Sequence, residues 1–125
     1  YQLAVVVDDA AAGITEVVRG SDLLGSTPRQ IHLYRQLGLP EPAWFHLPIA
    51  VTAAGDKLSK KTDAAPIGGA VAPRALWQAL DFLGQAPPAE LLGAPPPELL
   101  AWARTNWDPA HLPARPEQPA PAPTQ

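Results

Sequence analysis

The sequence predicts an α/β fold, and three observations carry that expectation. Leu3-Ala4-Val5-Val6-Val7 is continuously apolar and rich in β-branched residues, the pattern of a strand covered on both faces. Thr27-Pro28-Arg29-Gln30 has the chemistry of a helix start. Glycines and prolines punctuate the chain so that its first part reads strand, strand, helix, strand, an order that suits part of an α/β sheet.

The first strand is expected to stop at Asp8-Asp9. A buried parallel strand ending in two carboxylates places them at its carboxyl edge, where open α/β sheets bind ligands, or else they cap the following turn. A second strand is expected over Ile14-Thr15-Glu16-Val17-Val18-Arg19, between Gly13 and Gly20. In the helix start, Thr27 is placed to cap, Pro28 suits the first helical position, and Gln30 would complete a capping box. That helix should carry Ile31, Tyr34 and Leu37 on one stripe and end at Gly38. Pro40 and Pro42 force an extended connection, Phe45 to Val51 reads as a strand with Pro48 at an edge or bulge, and Ala54-Gly55-Asp56 is a turn.

From Pro73 the period becomes helical, with Leu76, Leu80 and Leu83 on one stripe and Gly84 as the stop. Another helix starts near Pro97 and is expected to put Leu99, Leu100, Ala103 and Trp107 on one face, with Trp102 beside it. These are packing residues. Past Asp108 the chain turns Pro-Ala-rich and is expected to be disordered, because such a segment buries too little to offset its ordering entropy. The expected organisation is therefore an α/β region over 1–72, a helical segment over 73–108 and a disordered tail over 109–125.

Of 125 residues 17 are Pro, 11 of them from Pro87 onward, so the packable part is expected within roughly the first 85 residues. There is no Cys, which excludes a disulfide framework, a thiolate nucleophile and a cysteine metal site. His32, His46 and His111 are too scattered to suggest zinc. The net charge of −3 is not that of a self-sufficient nucleic-acid binder. No apolar run approaches the roughly 20 residues of a membrane span, so a soluble chain without a membrane partner is expected. The opening at Tyr1-Gln2-Leu3, with no Met, predicts a piece of something longer.

Gly55-Asp56-Lys57-Leu58-Ser59-Lys60-Lys61 is the densest polar cluster, three Lys and a Ser after a glycine turn at a strand end. By charge alone such a cluster is more often a solvated loop. A loop that delivers ammonium groups beside a sheet's ligand edge also suits a polyphosphate, whose leaving pyrophosphate gathers charge that a positioned cation stabilises.

The run Lys57-Leu58-Ser59-Lys60-Lys61 resembles the KMSKS signature of class I aminoacyl-tRNA synthetases, with Leu58 in place of Met and Lys61 in place of the final Ser. Tyr1 to Asp9, Gly13 to Leu24, Thr27-Pro28-Arg29-Gln30 and His46-Leu47-Pro48 stand in the order of the glutamyl-tRNA synthetase family. The resemblance covers roughly residues 1 to 107. It is nearest to the truncated branch of that family that activates L-glutamate with ATP and attaches it to the queuosine base of tRNA(Asp).

The resemblance implies the carboxyl-terminal half of a Rossmann-like nucleotide-binding domain, followed by short helices. It implies that Tyr1 and Arg19 hold the glutamate, which accords with the bidentate reach of a guanidinium and the extra hydrogen bond of a phenol. The bland alternative for Arg19 is a surface ion pair with Glu16 or Asp22. Lys57 and Lys60 match the two lysines of the signature, Lys60 being the one assigned to ATP and catalysis, and Ser59 the serine of the loop. ATP with magnesium, L-glutamate and tRNA(Asp) are the implied substrates, and a cytoplasmic monomer is expected. The family's HIGH-type motif, its amino-terminal arginine segment and its zinc insertion precede the position of Tyr1, so these residues alone are not expected to catalyse. The helical stretch Leu76 to Gln85 followed by Pro87-Pro88 favours the queuosine-modifying branch over one that charges tRNA ends. A non-catalytic synthetase-derived binding module is the other alternative.

Overall fold

The computed structural model describes residues 1–59 and 72–121, and the chain forms two compact units, Tyr1–Leu47 and Pro48–Gln125.

The first unit opens with a helix, α1 (Gln2–Ala11), where a strand was expected. The physical reason lies in spacing and in the alanines. Gln2, Val5, Val6, Asp9 and Ala10 are the less exposed positions, a three-and-four rhythm, while Leu3 and Val7 face out at 55% and 45% exposure. A run of apolar residues reads alike for both elements, but Ala10-Ala11-Ala12 favours the helix and Gly13 ends it. Gly13 has φ 70°, its N–H donates to Ala10 (3.1 Å), and Ile14 N–H donates to Asp9 (2.9 Å), which closes the last carbonyls in a Schellman arrangement. Asp8 and Asp9 therefore belong to the end of a helix and not to the carboxyl edge of a strand.

Strand β1 (Glu16–Gly20) follows, then a 3-10 helix (Ser21–Ser26) and α2 (Thr27–Gln36). The cap of α2 is Ser26 without a side-chain cap bond, so the expected capping roles of Thr27 and Gln30 are not taken up. The buried stripe of α2 is Thr27, Gln30 and Tyr34, whereas Ile31 is half-buried and Leu37 exposed. Strand β2 (Ala43–Leu47) pairs with β1 in parallel, with Glu16 opposite Ala43 and Arg19 opposite His46.

The expected strand over Phe45–Val51 is divided at Pro48, which has no N–H to continue a ladder. Its second part, β3 (Ile49–Val51), belongs to the second unit and pairs in parallel with β4 (Glu117–Pro119). The tail expected to be disordered thus contains a short 3-10 helix (Pro109–His111) and a strand. Proline favours extended backbone, and in a strand alternate N–H groups face one edge. Ala120 N–H bonds Val51 O at 2.8 Å, so the donor-less nitrogens of Pro119 and Pro121 fall on the open edge. Residues 122–125 lie outside the described residues.

Helices α3 (Ala72–Phe82) and α4 (Pro96–Asn106), with the short 3-10 helix Ala89–Leu91 between them, supply the core of this unit: Leu80, Leu99 and Ala103, with Leu76, Trp77, Leu91, Ala94 and Trp102 against them. Leu100 and Trp107, expected on the buried face, are exposed. Gly84, at φ 74°, ends α3 where a Cβ would run into the His111 carbonyl. Gln85 then ties the following loop down, donating to Leu83 and Asp108 carbonyls and accepting from Asp108 N–H at 2.9 Å. No helix among the described residues is long and apolar enough to cross a membrane.

Candidate functional site

In the first unit the carboxyl ends of two parallel strands put Arg19 and His46 side by side, and Trp44, two residues before His46, shares their face of the sheet. The Arg19 guanidinium lies over the Trp44 ring, 4.9 Å from its centroid. Nη1 donates to Gln30 Oε1 at 2.7 Å, and Nη2 donates to Thr27 Oγ1 at 2.8 Å and more weakly to Leu23 O at 3.4 Å. These acceptors are neutral, and Glu16 and Asp22 are not among them. Among the described residues the hydrogen bonds of the guanidinium all go to neutral acceptors.

The network extends both ways from Arg19. Thr27 Oγ1 is 2.9 Å from His46 Nε2. Because the hydroxyl accepts from Arg19, its own proton is available to Nε2, an arrangement that suits a neutral His46 with its proton on Nδ1. Burial lowers the His46 pKa, and the Arg19 charge lowers it further, in keeping with that tautomer. On the other side Gln30 Nε2 donates to Gln2 Oε1 at 2.6 Å, and Gln2 Nε2 donates to Ser26 Oγ at 3.0 Å.

Tyr34 packs edge-on to Trp44, centroids 6.2 Å apart at 73°. The Arg19 Nε, Tyr34 hydroxyl and Trp44 Nε1 are buried donors with no hydrogen-bond partner among the described residues. The Tyr34 pKa is raised, by burial first and then by the Asp9 carboxylate. Tyr1, expected to hold the glutamate together with Arg19, stands at the start of α1 and is 79% exposed. It is the adjacent Gln2 that joins the network.

The second unit carries the lysine loop. Beyond β3, Thr52 N–H bonds Asp56 O at 2.8 Å and Gly55 N–H bonds Thr52 O at 2.9 Å, a tight turn in which Gly55 takes φ 87°. The chain then returns antiparallel, Lys57 bridging to Val51 and Leu58 N–H bonding Ala50 O at 2.8 Å. Lys57 and Leu58 are exposed and Ser59 half-buried. Lys60 and Lys61 lie outside the described residues. Among the described residues no group of three His, Cys, Asp or Glu is placed to hold a metal ion.

Reasoning from the sequence missed Gln2, Thr27, Gln30, Trp44 and His46 as members of the site. The signal available was polarity in the wrong place: Thr27 and Gln30 lie on the same helical stripe as Tyr34, and polar side chains on an inward stripe need partners.

Residues 1–70 match the family model described as tRNA synthetases class I (E and Q), catalytic domain. The chain belongs to this family. It is 56% identical over 121 residues to the Glutamyl-Q tRNA(Asp) synthetase of Aromatoleum aromaticum, covering 97% of this chain and 38% of that protein. It is 53% identical over 123 residues to the protein of the same name from Thiobacillus denitrificans, covering 98% of this chain and 41% of the relative. The chain therefore spans about two fifths of the length of these curated relatives. Among solved structures it resembles the glutamate-tRNA synthetase of Elizabethkingia anophelis, with TM-score 0.59 and 22% identity over 90% of this chain and 26% of that one. That likeness concerns the fold.

Proposed function

We propose that the chain is part of an ATP-dependent ligase that activates L-glutamate and transfers it to queuosine in the anticodon of tRNA(Asp). The observation that carries this reading is the Arg19 guanidinium, fixed at the carboxyl ends of β1 and β2 by neutral acceptors. A cation held in place by neutral acceptors suits a carboxylate ligand, since bidentate pairing then adds charge attraction to geometry already set. In this reading Arg19 takes the glutamate with help from Tyr1. Lys57 and Lys60 of the KMSKS-like run Lys57-Leu58-Ser59-Lys60-Lys61 act on ATP, taken with its magnesium, as pyrophosphate leaves. Identity of 56% to a protein named Glutamyl-Q tRNA(Asp) synthetase favours transfer to tRNA(Asp). We place the protein in the cytoplasm, as a monomer.

Arg19→Ala tests the assignment in the protein as its gene encodes it. Glutamate-dependent ATP–pyrophosphate exchange should show a glutamate KM raised by about a hundredfold, the worth of one desolvated charge-assisted pair, with the ATP KM little changed. Equal effects on both substrates would remove Arg19 from the glutamate pocket.

A further inference from the structure

We infer that Gln30 is a positioning residue that must be both an acceptor and uncharged: it orients the Arg19 guanidinium and keeps its charge available for the substrate carboxylate. The inference rests on the reading of Arg19 given above.

Gln30 is 1% exposed, so every polar atom of its amide has to find a partner within the protein. Arginine has donors only, so the oxygen of the Gln30 amide must face Arg19 and its nitrogen must face away. It does so with Oε1 at 2.7 Å from Nη1 and Nε2 at 2.6 Å from Gln2 Oε1, and Gln2 passes the same polarity on to Ser26 at 3.0 Å. The relay has one direction, and it is set by the cation at its end.

A carboxylate at position 30 would satisfy Arg19 at least as well as the amide does. Gln2 would turn its amide over to donate to that carboxylate, and the Ser26 hydroxyl would donate to the Gln2 oxygen, so the relay runs in reverse with every group still paired. The fold loses nothing by that exchange. What changes is that Arg19 would be neutralised from within and would no longer attract a ligand carboxylate. The other partners among the described residues are the Thr27 hydroxyl, the Leu23 carbonyl and the Trp44 ring, all uncharged in the same way. Neutrality of the cradle is thus what separates a binding arginine from a structural one.

The experiment compares Gln30→Glu, Gln2→Leu and Arg19→Ala in the protein as its gene encodes it, by thermal melting and by exchange kinetics with glutamate and ATP varied separately. Gln30→Glu should melt at or above the wild-type temperature and raise the glutamate KM about tenfold or more through loss of the available charge, with ATP KM unchanged. Gln2→Leu frees the Gln30 amide to rotate, and should raise the glutamate KM several-fold while kcat at saturating glutamate holds. It also carries the test should the charged variant fail to fold. A glutamate KM within twofold of wild type in a folded Gln30→Glu protein, or in Gln2→Leu where that variant does not fold, overturns the inference when Arg19→Ala has raised it. An unchanged KM in Arg19→Ala overturns instead the reading on which the inference rests.

Discussion

Replacing Thr27 by Val removes one oxygen and little else, and that oxygen is the atom that joins Arg19 to His46. The two side chains have nearly the same shape, so the change isolates the hydroxyl. Two interactions go. Among the described residues the Arg19 Nη2 keeps only its 3.4 Å contact with Leu23 O, and His46 Nε2 loses its hydrogen bond. A bond to a charged donor is worth about 1.5–3 kcal/mol and a neutral one about 0.5–1.5 kcal/mol. The new buried methyl returns about 0.8 kcal/mol, and the partly exposed guanidinium recovers some hydration, so the net loss should be about 1–2 kcal/mol. Urea denaturation followed by tryptophan fluorescence reads this directly, because Trp44 lies under the same guanidinium. The glutamate KM should rise with the loss of stability, since the cation is then held by one strong bond instead of two. A Thr27→Val protein within about 0.5 kcal/mol of wild type, the scatter of ordinary surface changes, would show that the Thr27 bridge contributes nothing and that the cradle is not a coupled unit.

On the function proposed above, Lys60→Ala should lower the maximal rate of glutamate-dependent exchange by orders of magnitude with a smaller change in ATP KM, because the charge it would meet develops as pyrophosphate departs; a normal rate with lost ATP binding would make the loop a binding element alone. His46 has its pKa lowered from 6.5 in the folded chain, so below pH 6.5 the unfolded state takes up more protons than the folded one, and stability should fall with pH until the folded pKa is passed. Melting temperatures from pH 7.5 to 5 should show that slope reduced in His46→Gln, and an identical slope in both proteins would contradict it. Tyr34→Phe deletes a buried hydroxyl that has no partner among the described residues, and should leave stability unchanged or raise it by up to about 1 kcal/mol; clear destabilisation in a urea titration would mean that the hydroxyl is bonded.

Much of the fold was legible where a residue has one conformational use. Gly38 and Gly84 stop α2 and α3 as their sequence positions suggest, and Pro28 opens α2. Legibility failed where a residue type serves two purposes. The valines of α1 have the propensity of a strand, yet the alanines that follow and the burial of one helical face beside α2 together favour the helix, and the second of these is a tertiary effect that no local window contains. Thr27 and Gln30 have the spacing of a capping box, yet both side chains turn inward to Arg19, so a correct helix start concealed part of the candidate site. Arg19 itself was found through family resemblance, since one arginine between Val18 and Gly20 is otherwise an unremarked surface charge. The strand in the tail escaped because composition says how much a segment can bury and nothing about which edge awaits it.

That last strand bears on how the chain is made. Ile49 pairs with Glu117 across an interval that holds both α3 and α4. A loop of that length closes late, after the local helices have formed, because the entropy of bringing its ends together must be met before any ladder bond forms. During synthesis β3 has only its local return segment at Lys57-Leu58 until residues 117–119 have left the ribosomal tunnel, and for that interval its β4-side edge is open to whatever extended segment is near. A ribosome that stalls in the proline-rich stretch just before Glu117 would prolong the wait. The vulnerable moment of this unit therefore falls in translation, at a point set by where β4 lies along the message.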